Sequence, residues 1–178
     1  MFKHPKDSQI SISHLMLPSN SNFSGKIHGG YILNLMDQIA FACASKHSRN
    51  YCVTASVNKV DFLNPIDVGE LVTLKASINY TGRTSMVVGV RVESENIQSG
   101  LTKHCNSSYF TMVAKDEKGN NAVVPGIILD DEQSVRRFAR SMKRQEQSRS
   151  RSNNFKSSEF IIADHLEFVK TQNAKITF

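Results

Sequence analysis

Residues 31–44, YILNLMDQIAFACA, restrict the possible folds of this chain more than any other stretch. All but three of these residues are apolar or small, which predicts a helix that packs into a core on several sides. The exceptions are Asn34, Asp37 and Gln38. An unpaired carboxylate is costly to bury, so the place of Asp37 in the middle of this helix needs a reason.

A glycine pair stands at the start of the same helix, at the end of the segment NFSGKIHGG (22–30). The first N–H groups of a helix lack partners within it, and the helix dipole favours negative charge there. Glycine also lets another group come close to the backbone. The N–H groups of Gly29 and Gly30 are therefore candidates for an oxyanion hole, and Asn22 is a candidate for orienting the water or the carbonyl group that is attacked.

Asp37 would supply the second half of such a site, either as a base that activates water or as a nucleophile. The structural alternative is a carboxylate that caps a loop or pairs with Lys or Arg, but the combination with the glycine pair favours function. His28 either shapes the loop of the site or caps the helix. Asn34 and Gln38 either support Asp37 or make an interface polar.

The spacing within the helix limits how these groups can meet. Gly30 and Asp37 are seven residues apart, so they share a helix face but lie about 10 Å from each other. Catalytic contacts need about 3 Å, so both cannot touch one carbon atom within one chain. Two antiparallel helices across a two-fold axis would bring Asp37 of one subunit to Asn22 and the glycine pair of the other. The sequence therefore predicts a homodimer that is required for activity.

Alternation of apolar and polar residues dominates positions 51–115. It predicts a hairpin of two antiparallel strands at 70–80 and 84–95, joined by a tight turn at 81–83 that contains a glycine. Further strands are predicted at 8–18, at 51–65 with a bulge or bend, and at 101–116. No helix separates the later strands, so the sheet should be antiparallel. One apolar helix wrapped by one curved antiparallel sheet is an α+β arrangement, the hotdog fold.

The composition fits one cytoplasmic domain with a tail. Of the 178 residues 39% are hydrophobic, no apolar run approaches the ~18 residues of a membrane span, and the N-terminus lacks the apolar region of a signal peptide. Cys43, Cys52 and Cys105 lack metal-ligand spacing and are expected to be reduced structural thiols. No metal and no separate cofactor are expected. The net charge of +6 suits an anionic partner, which leaves nucleic acid, a membrane surface and a phosphorylated small molecule.

The positive charge is concentrated near the C-terminus. Residues 134–152 contain seven Arg or Lys residues and one acidic residue. We expect a hotdog domain at 1–127 and a tail at 128–178. Within the tail we expect a basic helix at about 130–147, a flexible polar link at 145–158, and a short apolar piece at 159–169.

Four motifs together resemble the single-hotdog acyl-CoA thioesterases of the cytosolic long-chain acyl-CoA hydrolase and YciA-like type. They are NFSGKIHGG (22–30), LMD (35–37), VDFLNPIDVGELVTLKASINYTGRTSM (60–86) and NSSYFTMVAKD (106–116). The resemblance covers about residues 8–125. It implies hydrolysis of fatty acyl-CoA to free fatty acid and CoA by homodimers that assemble as a trimer of dimers. It also implies that Asn22 and Asp37 carry catalysis, because they occupy the family's catalytic motif positions.

The corner of the predicted hairpin is the expected contact for the CoA nucleotide. Arg83, Thr84 and Ser85 place a cation beside two hydroxyl groups, a set suited to anions, and the resemblance assigns this segment to the CoA phosphates. Gly82 belongs to the same segment, although its first role is in the turn. An ordinary polar turn is the structural alternative. CoA is expected as part of the substrate and product, not as a cofactor.

Two other function classes compete with the thioesterase. An enoyl-CoA hydratase of this fold would show an Asp and a His close together in one loop segment, and DQIAF (37–41) lacks that pair. A non-catalytic acyl-CoA sensor with a basic nucleic-acid-binding tail is compatible with the Arg-rich stretch 136–151. That stretch has no helix-turn-helix signature, and a basic tail is more often a solvated appendage, so nucleic acid is not the expected partner.

Overall fold

The structure is a computed structural model that describes residues 1–154 and 161–177, with the side chains of 151–154 left out. Its central element is helix α1, Gly29–Ser48. The buried residues of α1 are Ile32, Leu35, Met36, Ile39, Ala40, Cys43, Ala44, His47 and Ser48. The predicted core helix is therefore confirmed.

One stripe of α1 is not covered by the rest of the chain. Asn34, Gln38 and Phe41 are exposed, and Asp37 beside them is half-buried. Their spacing of three and four residues places them on one side of the helix. A helix that is otherwise apolar thus keeps one open side, and that side carries the carboxylate.

The sheet has five strands in the spatial order β2-β4-β5-β6-β3, and every neighbouring pair is antiparallel. Its strands are β2 Ile10–Leu15, β3 Tyr51–Val57, β4 Leu71–Thr81, β5 Ser85–Glu95 and β6 Thr102–Lys115. Two further short strands, β1 Phe2–Lys3 and β7 Gly126–Ile127, form a separate pair. The sheet curls around α1, which confirms the α+β hotdog fold and the predicted hairpin of β4 and β5.

Strand β3 is shorter than predicted. It ends at Val57 instead of near 65, and its bulge lies between Thr54 and Ser56. The residues after it do not continue the regular strand pairing, although Asn58 N and Leu63 N still donate to the Tyr109 and Cys105 carbonyls of β6. The side chain of Phe62 lies over Gly29. The apolar residues of this segment therefore reflect packing near the start of α1 as well as irregular contact with β6.

The core lies between α1 and the inner face of the sheet. Met36, Met86, Met112 and Leu74 are fully buried there, and Phe110 is 1% exposed. The three cysteines are free and buried, as expected for structural thiols. Burial raises the pKa of the Cys43 thiol to about 12, so this group remains a neutral thiol.

A two-stranded parallel pair, β1 with β7, was not predicted. It lies at the C-terminal end of α1, where the buried His47 connects three segments. His47 Nε2 donates a hydrogen bond to the Pro125 carbonyl at 3.1 Å, and Nδ1 lies 3.1 Å from Ser8 Oγ. Lys3 Nζ donates to the His47 carbonyl at 2.6 Å. These contacts hold the N-terminal segment and the segment after β6 against α1.

Helix α2, Glu132–Asn154, corrects the prediction for the tail. The expected flexible link from 145 to 158 is helical as far as Asn154, and residues 155–158 lie outside the described residues. The apolar piece contains a 3₁₀ turn at Ile162–His165 and helix α3 at Leu166–Lys170, while its first two residues are not described.

Two compact units, Met1–Ser141 and Met142–Phe178, divide the chain. The first unit extends past the expected domain end at 127 because the beginning of α2 packs on the sheet. The ring centroids of Phe138 and Tyr80 lie 5.0 Å apart. The boundary between a hotdog domain at 1–127 and a tail at 128–178 stays a prediction. No helix among the described residues is long and apolar enough to cross a membrane.

Candidate active site

Asp37 makes one described side-chain contact that defines the centre of the site. Thr54 Oγ1 on β3 donates a hydrogen bond to Asp37 Oδ1 at 2.6 Å. None of the residues that the structure describes donates a hydrogen bond to the other oxygen, Oδ2. One oxygen of the carboxylate is thus held by the sheet, and the other is available to a water molecule or a substrate.

An open cavity of about 530 Å³ surrounds this carboxylate. It is lined by Asp37, Gln38, Phe41, Tyr51, Cys52, Val53 and Thr54. The rings of Phe41 and Tyr51 form an edge-to-face pair, with centroids 5.7 Å apart and planes at 62°. The cavity therefore has a polar part around the carboxylate and an aromatic part beside it.

Asn22 lies in an ordered turn before α1. Its side-chain oxygen accepts hydrogen bonds from Ser24 N at 3.0 Å, Ser24 Oγ at 2.7 Å and Lys26 N at 3.2 Å. The turn is tied down by an ion pair between Lys26 and Asp67. Within the described part of the chain no group accepts a hydrogen bond from Asn22 Nδ2. Its oxygen is used for structure, whereas its amide protons point to solvent and can serve a ligand.

The N-terminus of α1 also carries free donors. The His28 carbonyl accepts from Tyr31 N at 3.0 Å, whereas the N–H groups of Gly29 and Gly30 have no acceptor among residues 1–154 and 161–177. His28 occupies the N-cap position, but its side chain makes no capping hydrogen bond. The interpretation of His28 as a side-chain cap is therefore wrong, and its exposed imidazole borders the turn.

The two glycines differ in what surrounds them. A Cβ at Gly29 would lie 3.1 Å from Phe62 Cζ, whereas the nearest atom to a Cβ at Gly30 would be His28 Nδ1 at 3.9 Å. Packing inside this chain thus accounts for a glycine at 29 but not at 30. The space in front of Gly30 is open to a molecule that comes from outside the protomer.

The open stripe of α1 continues onto the edge strand β3. Tyr51 is 63% exposed, Val57 is 45% exposed, and both belong to a strand with one unpaired edge. We call the surface formed by Asn34, Gln38, Phe41, Tyr51 and Val57 the open face. Exposed edge strands with apolar side chains are sites where another chain can pair. Asp37 lies in the open face, so the carboxylate belongs to the surface that is suited to a partner.

The corner between β4 and β5 has the expected position, and hydrogen bonds of its main-chain groups hold its backbone in place. The N–H of Gly82 donates to the Ser85 carbonyl at 2.8 Å, and the carbonyls of Arg83 and Thr84 accept from Val124 N and Ala114 N, both at 3.0 Å. The Arg83 side chain is exposed. Ser85 pairs with Val113, which in turn pairs with Val53. The corner therefore lies two strands, about 10 Å, from the strand that holds Thr54.

A larger cleft of about 620 Å³ contains none of the predicted residues. Its lining includes Lys75, Ser77 and Arg91, whose side chains point away from α1 because they alternate along their strands with core residues. No group of three or more His, Cys, Asp or Glu residues in the described ranges could hold a metal ion. The smaller cavity at Asp37 is therefore the candidate site.

Thr54 is the candidate site residue that the sequence did not reveal. Thr is common in strands, so nothing local distinguishes this one from its neighbours. Only the placement of β3 beside α1 brings its hydroxyl to Asp37. Asn34 and Gln38 are both exposed, and Gln38 lines the cavity while Asn34 does not.

Comparisons with known proteins identify the family of this chain. The sequence-family model of the thioesterase superfamily matches residues 24–101. Protein VdlD of Helicobacter pylori is 42% identical over 139 residues, which cover 78% of this chain and 79% of that protein. Among solved structures, an apo-hexameric acyl-CoA thioesterase is 36% identical, with a TM-score of 0.82 over 84% of this chain and 96% of the other.

The acyl-CoA hydrolase of Staphylococcus aureus, solved with butyryl coenzyme A, coenzyme A and coenzyme A disulfide, is 26% identical. Its TM-score is 0.81 over 96% of this chain and 99% of that chain. Three solved variants of this enzyme replace an Asn, an Asp and a Thr by Ala. The intervals between those three positions equal the intervals between Asn22, Asp37 and Thr54. By fold and by sequence, this chain belongs to the hotdog thioesterase superfamily and, within it, to the acyl-CoA thioester hydrolases.

Proposed function

We propose that this acyl-CoA thioester hydrolase cleaves fatty acyl-CoA to free fatty acid and CoA in a site shared by two subunits. Asp37 of one subunit acts as base or nucleophile. Asn22 and the start of α1 of the other subunit, at His28, Gly29 and Gly30, position the thioester and stabilise its oxyanion. The observation that carries the proposal is the separation of the free N–H donors from the Asp37 carboxylate, whose Oδ2 accepts no hydrogen bond from the described residues, by about 10 Å along one helix.

The base and nucleophile routes use the same groups. As a base, Asp37 takes a proton from water, hydroxide adds to the thioester carbon, the C–S bond breaks, and the proton passes to the CoA sulfur. As a nucleophile, the carboxylate adds to that carbon, the C–S bond breaks to give a mixed anhydride and CoA thiolate, and water hydrolyses the anhydride. In both routes the carbonyl oxygen becomes negative, so N–H donors aimed at it lower the barrier.

Thr54 has a positioning role in this proposal. Its hydrogen bond to Oδ1 fixes the orientation of the Asp37 carboxylate and leaves Oδ2 for the reacting atom. The matching intervals in the S. aureus hydrolase variants support a joint role of Asn22, Asp37 and Thr54.

The CoA end is assigned to Gly82, Arg83, Thr84 and Ser85. All four residues take part in main-chain hydrogen bonds at the corner, so the Arg83 guanidinium is presented from a fixed backbone. A guanidinium can bind phosphate oxygens through two parallel N–H bonds.

The assembly is proposed as a homodimer that associates into a trimer of dimers. A hexameric thioesterase of the same fold supports a homo-oligomer. A cytoplasmic location is kept as a proposal, in line with the three free, buried cysteines.

A hydrolysis assay with a thiol-reactive dye tests the proposed function. Release of free CoA thiol from a fatty acyl-CoA is the expected result. The alternative, an acyl-CoA sensor with a nucleic-acid-binding tail, predicts binding of the same compound without thiol release.

A further inference from the structure

Phe23 is the most exposed large apolar residue of the first compact unit, and it follows Asn22 directly in the chain. Its relative exposure is 113%, which means that no other part of the protomer covers the ring. We propose that Phe23 enters the cavity at Asp37 of the partner subunit and forms the wall against which the acyl chain lies. This inference rests on the shared site proposed above and adds a residue that determines acyl-chain specificity.

The exposure of Phe23 is a fixed feature of the turn. The side-chain oxygen of Asn22 accepts three hydrogen bonds from Ser24 and Lys26, and Gly25 N donates to the Asn22 carbonyl at 3.0 Å. Lys26 also pairs with Asp67. The turn is therefore closed on both sides of residue 23, and it presents the ring outward.

Proximity to Asn22 then determines where the ring goes. Consecutive Cα atoms are 3.8 Å apart, so the backbone of Phe23 lies next to whatever Asn22 reaches. If Asn22 acts on a thioester held at the partner's Asp37, the outward Phe23 ring is brought to the partner's surface beside that cavity. A fully exposed phenylalanine gains free energy only when a second surface removes it from water.

The cavity offers a matching surface. Its polar part, at Asp37 and Thr54, is suited to the thioester and its water. Its apolar part consists of the Phe41–Tyr51 pair and Val53. Aromatic rings pack well against further aromatic rings in edge-to-face or offset geometry. Phe23 would complete an apolar enclosure next to the reacting carbon, and an alkyl chain is the part of the substrate that fits it.

A heterodimer with one intact active site tests this proposal. One subunit carries Asn22→Ala and the other carries Asp37→Ala, with different tags for purification of the mixed species. The only intact site then combines Asp37 of the first subunit with Asn22, and hence Phe23, of the second. Phe23→Ala is added either to the second or to the first subunit, and kcat/KM is measured with acyl-CoA substrates from two to sixteen carbons.

We expect Phe23→Ala on the Asp37→Ala subunit to change the ratio of kcat/KM between long and short acyl chains on the order of ten-fold. The same change on the Asn22→Ala subunit should leave the ratio as it was, and Phe168→Ala, another exposed phenylalanine, serves as the matched control. The inference is overturned if the heterodimer is active but placement of Phe23→Ala makes no difference, or if all chain lengths lose activity by one factor. A heterodimer without activity, prepared with native Phe23, would instead contradict the shared site itself.

Discussion

Thr54 Oγ1 donates a 2.6 Å hydrogen bond to Asp37 Oδ1, and this bond joins the edge strand of the sheet to the central helix. The same hydroxyl lies 3.4 Å from Sδ of the buried Met112. The carboxylate is thereby held at the wall of the cavity through one oxygen, while its other oxygen has no partner among the described residues.

Thr54→Val should lower kcat roughly 10- to 100-fold, since a hydrogen bond to a charged group contributes about 1.5–3 kcal/mol. Valine keeps the shape of the side chain and removes only the hydroxyl. Thr54→Ser restores the donor and should recover most of the rate. Equal losses in the Val and Ser variants, measured under saturating acyl-CoA, would mean that the hydrogen bond does not contribute.

Asp37→Asn should remove most hydrolysis, with a loss of about 10² to 10⁴ in kcat, while the fold and the size of the assembly are retained. Asparagine has nearly the same volume and can still accept from Thr54, but it is neither base nor nucleophile. Glu117→Gln, which neutralises an exposed carboxylate in the turn after β6, is the matched control. Near-native turnover of Asp37→Asn with palmitoyl-CoA would exclude Asp37 from the chemistry.

Arg83→Ala should raise KM for acyl-CoA much more than it lowers kcat, because phosphates are bound alike in the ground state and the transition state. The effect should shrink for a pantetheine thioester, which lacks the nucleotide. Arg136→Ala removes an exposed arginine on α2 and should change neither constant. The assignment of Arg83 to the phosphates fails if Arg83→Ala raises KM equally for acyl-CoA and for the pantetheine thioester.

His47 should make stability depend on pH in the mildly acidic range. Burial lowers its pKa below the ordinary value of 6.5, and the hydrogen bond to Pro125 only partly offsets this. The unfolded chain therefore binds more protons than the native protein below about pH 6.5, so stability falls as the pH decreases. Urea unfolding of the native protein between pH 7.5 and 5 should show this loss.

His47→Gln should be less stable at pH 7.5 by about 1–3 kcal/mol, as the contacts to Ser8 and Pro125 are disturbed, but its stability should vary less between pH 7.5 and 5. Glu70 does not interfere in this window. Although burial alone would raise its pKa, hydrogen bonds from Lys103 and Ser94 hold the pKa of Glu70 below its ordinary value of 4.5. A variant with the same pH dependence as the native protein would contradict the assignment to His47.

The elements that could be predicted are those whose signal is local. The apolar run of α1 and the alternation in β4, β5 and β6 each indicate, within a few residues, the type of element and which side chains are buried. Segments 58–65 and 145–154 could not be predicted in this way. In the first, Phe62 lies over Gly29. In the second, the sequence has no apolar side chain from which a helical period could be recognised, although its Gln, Glu and Arg residues are good helix formers.

The candidate site shows the same limit. Asn22, Asp37 and the glycine pair stand in one continuous segment, so their combination could be recognised from the sequence. Thr54 could not, because its contact with Asp37 depends on the pairing of β3 with β6 at the edge of the sheet. The parallel pair of β1 and β7 likewise depends on residues at opposite ends of the first compact unit.

Each active site is proposed to combine Asp37 of one subunit with Asn22 of the other, and the activity of mixed dimers tests this arrangement. Asn22→Ala and Asp37→Ala subunits are co-expressed with two tags, and the mixed dimers are compared with both parents. In a mixed dimer one site carries both changes and the other carries neither. Isolated mixed dimers should therefore show about half of the native rate, whereas a random mixture, or trimers of dimers captured through both tags, should show roughly a quarter. Mixed dimers as inactive as the two parents would place Asn22 and Asp37 in the same site within one chain and contradict the shared active site.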